Sequence, residues 1–440
     1  MDGDVSWPYS GARTVFFELF KQILQHATDV DLIVVTTLRN TEKLNDRLSA
    51  LQPSQRHKIM TPSQFVDTKF QSPVIFKSLD ADLSKGQFLR ACSGLASSPV
   101  VGITHDLSDA KVYRELFVSC ATGVRPYDSI VSCSHAAKNV LDQQLQSIAD
   151  GLGLPAADLF LPIIPYGVDL EARFPQTKNQ TRAKWGIAQD AFLFLFVGRI
   201  CRLTKADLEA LVLAFDTRFR NHEKARLIIS GSVGSESEAQ FHARLSKLVQ
   251  DRSLDQQIGI VVNPTNHEKC SLYAAADIFV SPANSLQESF GITLLEAMMH
   301  GLPVLGSDWD GYRDIIVDGQ TGFTFPTNIQ ANDAAFRIDY PFLSRAELLE
   351  SLQDRLSLDS NILADLMAKC ESSRDECKEM GKRAQQRVHS LYRWDKVVQK
   401  HVELWFDLLH RSSSMKADDR SKSIYPDLLK IFSGHASHVS

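Results

Sequence analysis

No run of the sequence approaches the ~20 apolar residues that cross a bilayer. The opening MDGDVSWPYS lacks the basic start and apolar stretch of a secretory signal. Neither a glycine period nor sustained heptads occur, which excludes collagen-like and coiled-coil chains. Cysteine is scarce and scattered: the seven residues run from Cys92 to Cys377 without a C-x-x-C pair. That spacing offers neither a zinc ribbon nor a disulfide framework and is read as reduced thiols in a cytoplasmic protein. An excess of charge of one sign is also missing. Lys and Arg total 48 against 53 Asp and Glu, a formal net charge of −5, so there is no global electrostatic footprint for nucleic acid. The G-x-x-x-x-G-K-[ST] phosphate loop and the G-x-S-x-G nucleophile elbow do not occur. Gly151-Leu-Gly153 has no helix-opening third glycine and is no dinucleotide fingerprint.

What is present is the balance of an ordinary folded protein. The chain has 440 residues, 44% hydrophobic and 23% charged, enough for two or three domains. Short β-branched or aromatic runs alternate with helical patterns. Strands are expected at 31–37, 72–77, 98–104 and 128–134, then at 191–197, 226–231, 258–262, 277–281 and 303–307. Continuous apolar strands separated by helices read as parallel sheets covered on both faces, and their number suits two α/β domains. The Gly- and Pro-punctuated stretch 151–167 places a boundary near 168, followed by polar EARFPQTKNQT. Residues 343–410 read as helical, and 411–422 as a polar linker leading to an apolar patch at 424–432. The first strand of the first domain is short, atypical or missing, because only about ten residues precede Ser10-Gly11-Ala12.

Open parallel sheets bind ligands beyond the carboxyl ends of their strands. After 191–197 come Arg199 and Lys205, which can clamp phosphate or form a solvated basic stretch with Arg202. After 277–281 come Glu288 and Gly291, then a helix whose early N–H groups, over 290–294, suit an anion. Glu296 lies within that helix. Carboxylates cannot hold phosphate, so a pair flanking an anion site points to hydroxyl recognition; one helix-end acid plus one solvated acid is the plainer reading. His105 follows 98–104 and is either structural or a partner for a sugar hydroxyl. Asp29-Val-Asp31, Asp80-Ala-Asp82 and Asp308-Trp-Asp310 all fit an Asp-x-Asp metal pattern, and three hits in one chain show how cheap it is. The first two read as caps or loop charges.

The stretch ESFGITLLE, with glutamates at 288 and 296, resembles the signature of retaining glycosyltransferases of sequence family 4. Other segments agree in order: SGARTVFFEL, GITHD, SIVSCSHAAKNVL, IIPYGVDLEARF, FVGRICRLTKADL, SDWDGYRDIIVDGQTGF and YRWDKVV. The resemblance covers about residues 10–405. It implies a GT-B fold, two Rossmann-like doubly wound parallel-sheet domains facing a cleft. The acceptor-side domain would span 1–168, the nucleotide-sugar domain 169–390 and a helix crossing back 391–410, with 411–440 as linker and tail.

By the same resemblance, Glu288 would contact donor-sugar hydroxyls and Glu296 the ribose hydroxyls of the nucleotide. Arg199 and Lys205 would bind the diphosphate, helped by Phe290, Gly291, Ile292 and Thr293. Gly11 would let the first loop approach the diphosphate, and His105 would lie by the donor sugar and acceptor. The implied activity is metal-independent, retaining transfer of a hexosyl group from a nucleotide-diphosphate sugar to a hydroxyl acceptor, with no cofactor and no nucleic-acid partner. Peripheral membrane contact is left open, and no basic amphipathic helix demands it. The sequence departs from the family in having Ser10-Gly11-Ala12 for the usual glycine pair and one extra residue between Arg199 and Lys205. A catalytically weak GT-B scaffold protein and a GT-B epimerase or phosphorylase are the alternatives.

Overall fold

The computed structural model describes residues 11–37, 41–51, 57–153, 155, 157–169, 177–331 and 333–415. The chain divides into two compact units, residues 1–166 with 394–440, and residues 167–393.

In the first unit the strands are β1 (Leu32–Val35), β2 (His57–Met60), β3 (Phe76–Lys77), β4 (Val100–Ile103) and β5 (Ser129–Val131). Among the described residues they form two parallel pieces, β1-β2 and β3-β4-β5. Bridges Ser129↔Phe160 and Ser132↔Ile163 carry the chain on beside β5. The stretch before Gly11, where a first strand was sought, lies outside the described residues. Gly11 opens the helix Gly11–His26, which packs on the last helix, Trp394–Ser414. That last helix buries Trp394, Val397, Val398, His401, Leu404, Trp405 and Leu408, an apolar stripe at helical spacing. It runs on to Ser414, so 411–414 are not linker. Arg411 donates to Asp407 one turn back at 2.8 Å and lies 4.1 Å from the centroid of the Phe160 ring.

A buried ion pair ties the β3-β4-β5 piece to its helix. Arg90, on the helix Ser84–Cys92, donates to both carboxylate oxygens of Asp128, at 2.6 and 3.0 Å. The same carboxylate accepts from the backbone N–H of Val100 and of Arg125, each at 2.9 Å. Both side chains are almost fully enclosed, 2% and 0% exposed.

The second unit holds β6 (Phe192–Val197), β7 (Ala225–Gly231), β8 (Ile258–Val262), β9 (Ile278–Ser281), β10 (Val304–Ser307) and β11 (Gly322–Phe325). They form one six-stranded parallel sheet in the order β11-β10-β9-β6-β7-β8. Every residue of β6 is buried, as its unbroken FLFLFV requires of a central strand. Its Phe192 and Phe194 pack ring to ring with each other, and Phe194 with Phe215 and Phe219 of the helix Leu208–Phe219. From β6 the chain builds outward first through β7 and β8, then on the other side through β9, β10 and β11. The order therefore reverses between β6 and β9, the place where such sheets open a crevice for ligands. Two short strands, β12 (Thr327–Ile329) and β13 (Leu356–Leu358), pair antiparallel. β13 interrupts the 343–410 stretch expected to be helical. Pairing with β12 satisfies its backbone groups, which outweighs the helical preference of its neighbours.

Candidate functional site

The loops that leave β6, β9 and β10 are bonded to one another. The N–H groups of Gly198 and Ile200 continue the ladder onto the carbonyls of Ser230 and Ser232. Ala206 then bridges to Ala283, and the Asp207 N–H donates to the Pro282 carbonyl at 3.0 Å. Ser285 donates from Oγ to the Leu203 carbonyl at 3.2 Å and accepts at its own carbonyl from the Trp309 indole at 2.9 Å. Glu288 thus stands on a loop fixed to both neighbours.

These contacts bring Lys205 and Glu288 together as an ion pair, with the Lys205 ammonium donating to Glu288 Oε2. Their side chains are only 14% and 10% exposed. The stem of Lys205 lies over Gly198, where a Cβ would come within 3.0 Å of Lys205 Cε. Arg199 is half-buried and donates to the carbonyl of Thr204 at 3.2 Å, so its guanidinium and the Lys205 amine belong to one turn of chain. Arg202, the third cation there, turns to Asp354 at 3.6 Å.

Gly291 precedes the helix Ile292–Met299 with φ +112° and no side-chain cap. The N–H groups of Ile292 and Thr293 accordingly have no intrahelical acceptor. Phe290 is buried, its ring centroid 6.1 Å from that of Tyr392. A Cβ at Gly291 would meet Tyr312 Cε1 at 2.6 Å, and one at Gly311 would meet Phe290 Cα at 2.5 Å. Tyr312 is buried and shares a 2.7 Å hydrogen bond with Ser281. Burial first, and the Glu288 charge second, hold its phenol well above the usual range. Glycine at 291 is therefore required twice, by its backbone angle and by the ring beside it. We expect Gly291→Ala to cost at least about 1–2 kcal/mol from the backbone alone. Differential scanning fluorimetry should show a melting point lower by several degrees, roughly 2–4 °C per kcal/mol for a unit of this size.

Glu296 sits in the second turn of that helix. It is engaged by two donors absent from the sequence-based candidates, the Lys269 ammonium and the Tyr273 phenol. Both stand on the helix Asn266–Ala275, which follows β8. Burial works against the charge on Lys269, but Glu296 outweighs it and the ammonium pKa is raised.

Of the remaining candidates, His105, Gly11, Asp80 and Asp82 lie in the first unit and Asp308 in the second. His105 follows β4, half-buried, with its ring centroid 6.1 Å from that of Tyr166. Gly11 opens its helix, and Ser10 before it lies outside the described residues. Asp80 and Asp82 bond within their own loop, accepting from the Ser78 hydroxyl and from the Ser84 N–H, and Asp308 pairs with Arg313 at 2.8 Å. Among the described residues, no group of three or more His, Cys, Asp or Glu side chains could hold a metal ion. None of the described helices is long and apolar enough to cross a membrane.

Residues 177–357 match the family of glycosyl transferases group 1, and through this segment the chain is related to that family. A D-inositol 3-phosphate glycosyltransferase of Frankia alni is 34% identical over 163 residues, 36% of this chain and 39% of the relative. One from Geodermatophilus obscurus is 32% identical over 196 residues, 43% of this chain and 41% of the relative. The matched chain thus spans about two fifths of the length of these curated relatives. Among solved structures, HepE of Anabaena in complex with UDP superposes with a TM-score of 0.62 at 16% identity, covering 90% of this chain and 96% of that one. Sucrose-phosphate synthase from Thermosynechococcus elongatus gives 0.55 at 17% identity, covering 87% and 99%. This likeness shows the fold, that of the GT-B glycosyltransferases.

Proposed function

We propose that this protein is a retaining, metal-independent glycosyltransferase that moves a hexosyl group from a nucleotide-diphosphate sugar to a hydroxyl acceptor. The observation that carries the reading is the Lys205–Glu288 pair beside Arg199 at the point where the sheet order reverses. An uncapped helix start and the Glu296 carboxylate follow on the same segment. Cations and free N–H groups suit a diphosphate, and the carboxylates suit the hydroxyls on either side of it.

When the anomeric C–O bond breaks, its electron pair stays on the diphosphate oxygen. Arg199, Lys205 and the N–H groups of Ile292 and Thr293 stabilise that growing charge. The acceptor hydroxyl forms its new bond on the face the diphosphate leaves, and its proton passes to the departing phosphate oxygen. Configuration is retained, with the protein's cations serving where a metal otherwise would. Donor binding exchanges the Lys205–Glu288 pair for two others, Lys205 with phosphate and Glu288 with sugar hydroxyls. His105 is assigned to a sugar hydroxyl, and Gly11 to the approach of the first loop. The seven cysteines, none of them in a disulfide, fit a reducing, cytoplasmic setting.

The test is a thermal shift with UDP, GDP and ADP in EDTA. One of the three is expected to raise the melting point by about 5–10 °C at a hundredfold excess over its Kd. The corresponding nucleotide-sugar should then be consumed with its anomeric configuration kept, as read by NMR. A folded sample that shifts with none of the three would overturn the reading. Binding without donor hydrolysis or transfer would instead favour a scaffold protein.

A further inference from the structure

Neither carboxylate oxygen of Glu296 stands alone. Oε1 accepts from Lys269 Nζ at 2.8 Å, and Oε2 accepts from the Tyr273 hydroxyl at 3.0 Å. The two donors lie one turn apart on one face of the helix Asn266–Ala275, so a single rigid element grips both oxygens. Tyr273 is itself locked. It is 1% exposed, and its ring stacks on His300 with centroids 5.2 Å apart. Burial, then the Glu296 charge, keep its phenol protonated and therefore a donor. The Glu296 side chain stays 21% exposed, so the carboxylate still faces solvent.

An ionised carboxylate offers about four acceptor positions, two on each oxygen. Lys269 and Tyr273 take one on each. What remains is one position per oxygen, a number that suits two adjacent hydroxyls. A free glutamate would have to give up rotamer freedom to present that edge; here the freedom is lost before any ligand arrives.

We propose that Lys269 and Tyr273 are positioning residues that fix the Glu296 carboxylate to receive both hydroxyls of a nucleotide ribose, so that the site selects ribonucleotides. The proposal rests on the reading, given under Proposed function, that the carboxylates take hydroxyls on either side of the diphosphate. It predicts a selectivity defect rather than a general loss of binding. A residue that merely supports the helix would weaken all nucleotides alike.

The experiment is isothermal titration of the full chain with UDP, GDP and ADP, each against its 2′,3′-dideoxy analogue. Tyr273→Phe keeps the ring and removes one donor, and Lys269→Met keeps the stem and removes the other. Each is expected to lower the ribo-over-dideoxy preference about tenfold, the scale of one hydrogen bond to a charged group. Affinity for the dideoxy form should stay unchanged, and Lys269→Arg should restore part of the preference. Glu296→Gln should abolish most of it. If Glu296→Gln loses the preference while Tyr273→Phe and Lys269→Met keep it, the positioning role is wrong and the ribose reading stands. If Glu296→Gln keeps the full preference, or the wild type has none, the ribose reading fails and the positioning role with it. Should Tyr273→Phe not fold, the partly exposed Lys269 decides the matter alone.

Discussion

Arg199→Ala is expected to lower turnover by about 10²–10³-fold, the scale of removing one preorganised charge-stabilising contact, while leaving the melting point nearly unchanged. The two halves have one cause. Arg199 makes a single hydrogen bond, to the Thr204 carbonyl, and has no ion-pair partner among the described residues. Its removal therefore exposes no buried charge and costs the fold little. In the proposed mechanism its remaining N–H groups serve the diphosphate as charge builds there. Lys205 differs, because deleting it would strand the largely buried Glu288 carboxylate without its cation. An effect of Lys205→Ala on turnover would thus mix chemistry with misfolding, and Arg199 gives the cleaner readout. Glu288→Ala should reach a similar loss through the sugar, with the same mixing, because it strands the largely buried Lys205 ammonium. The check is kcat of the purified variants with the donor found by thermal shift. Near-native turnover by Arg199→Ala would remove that residue from the mechanism.

Asp128→Ala should destabilise the first unit by about 3–5 kcal/mol, the usual cost of leaving one member of a buried ion pair uncompensated. The carboxylate takes two hydrogen bonds from Arg90 and two from backbone N–H groups. It joins the helix Ser84–Cys92 to the start of β4 and to the turn before β5. Alanine would leave a guanidinium that is 2% exposed without its counter-ion, holding only the Ser98 carbonyl, and would orphan two buried N–H groups. In thermal unfolding, the transition of the first unit should fall by roughly 6–20 °C. Nucleotide-dependent stabilisation of the second unit should persist, since Asp128 has no part in it. A drop worth less than about 1 kcal/mol would mean the pair is relieved by water or by local rearrangement.

The most legible elements were those whose burial is complete. FLFLFV could only be a central strand, and β6 lies at the middle of its sheet. HKIM gave no such signal; β2 is short and only partly buried, and half of it is polar. β12 and β13 were hidden for another reason. Three residues cannot display a period, and their pairing partner lies in a distant segment. The helix boundary at Ser414 escaped because RSSS reads as linker, whereas the structure holds it through Arg411.

Strand ends made Arg199, Lys205, Glu288 and Glu296 candidates, because parallel sheets leave their ligand groups there, and the family resemblance gave them their expected roles. The partners of those groups were not legible. Lys205 and Glu288 are 83 residues apart, and Lys269 lies 27 residues before Glu296. Only the Lys269–Tyr273 spacing, one turn on a helix facing the glutamate helix, hinted at a shared target, and any surface helix offers such a pair.

The sequence by itself determined the fully buried strands and most of the helices between them, and that the candidate residues fall at strand ends. Those follow from local patterns of apolar and turn residues. The tertiary structure alone decided which charges meet, that Gly291 must clear Tyr312, and that Glu296 is gripped from one side. Such contacts depend on the order in which strands assemble into the sheet. Ion pairs and close packing are set by distance in space, on which the spacing along the chain has no direct hold.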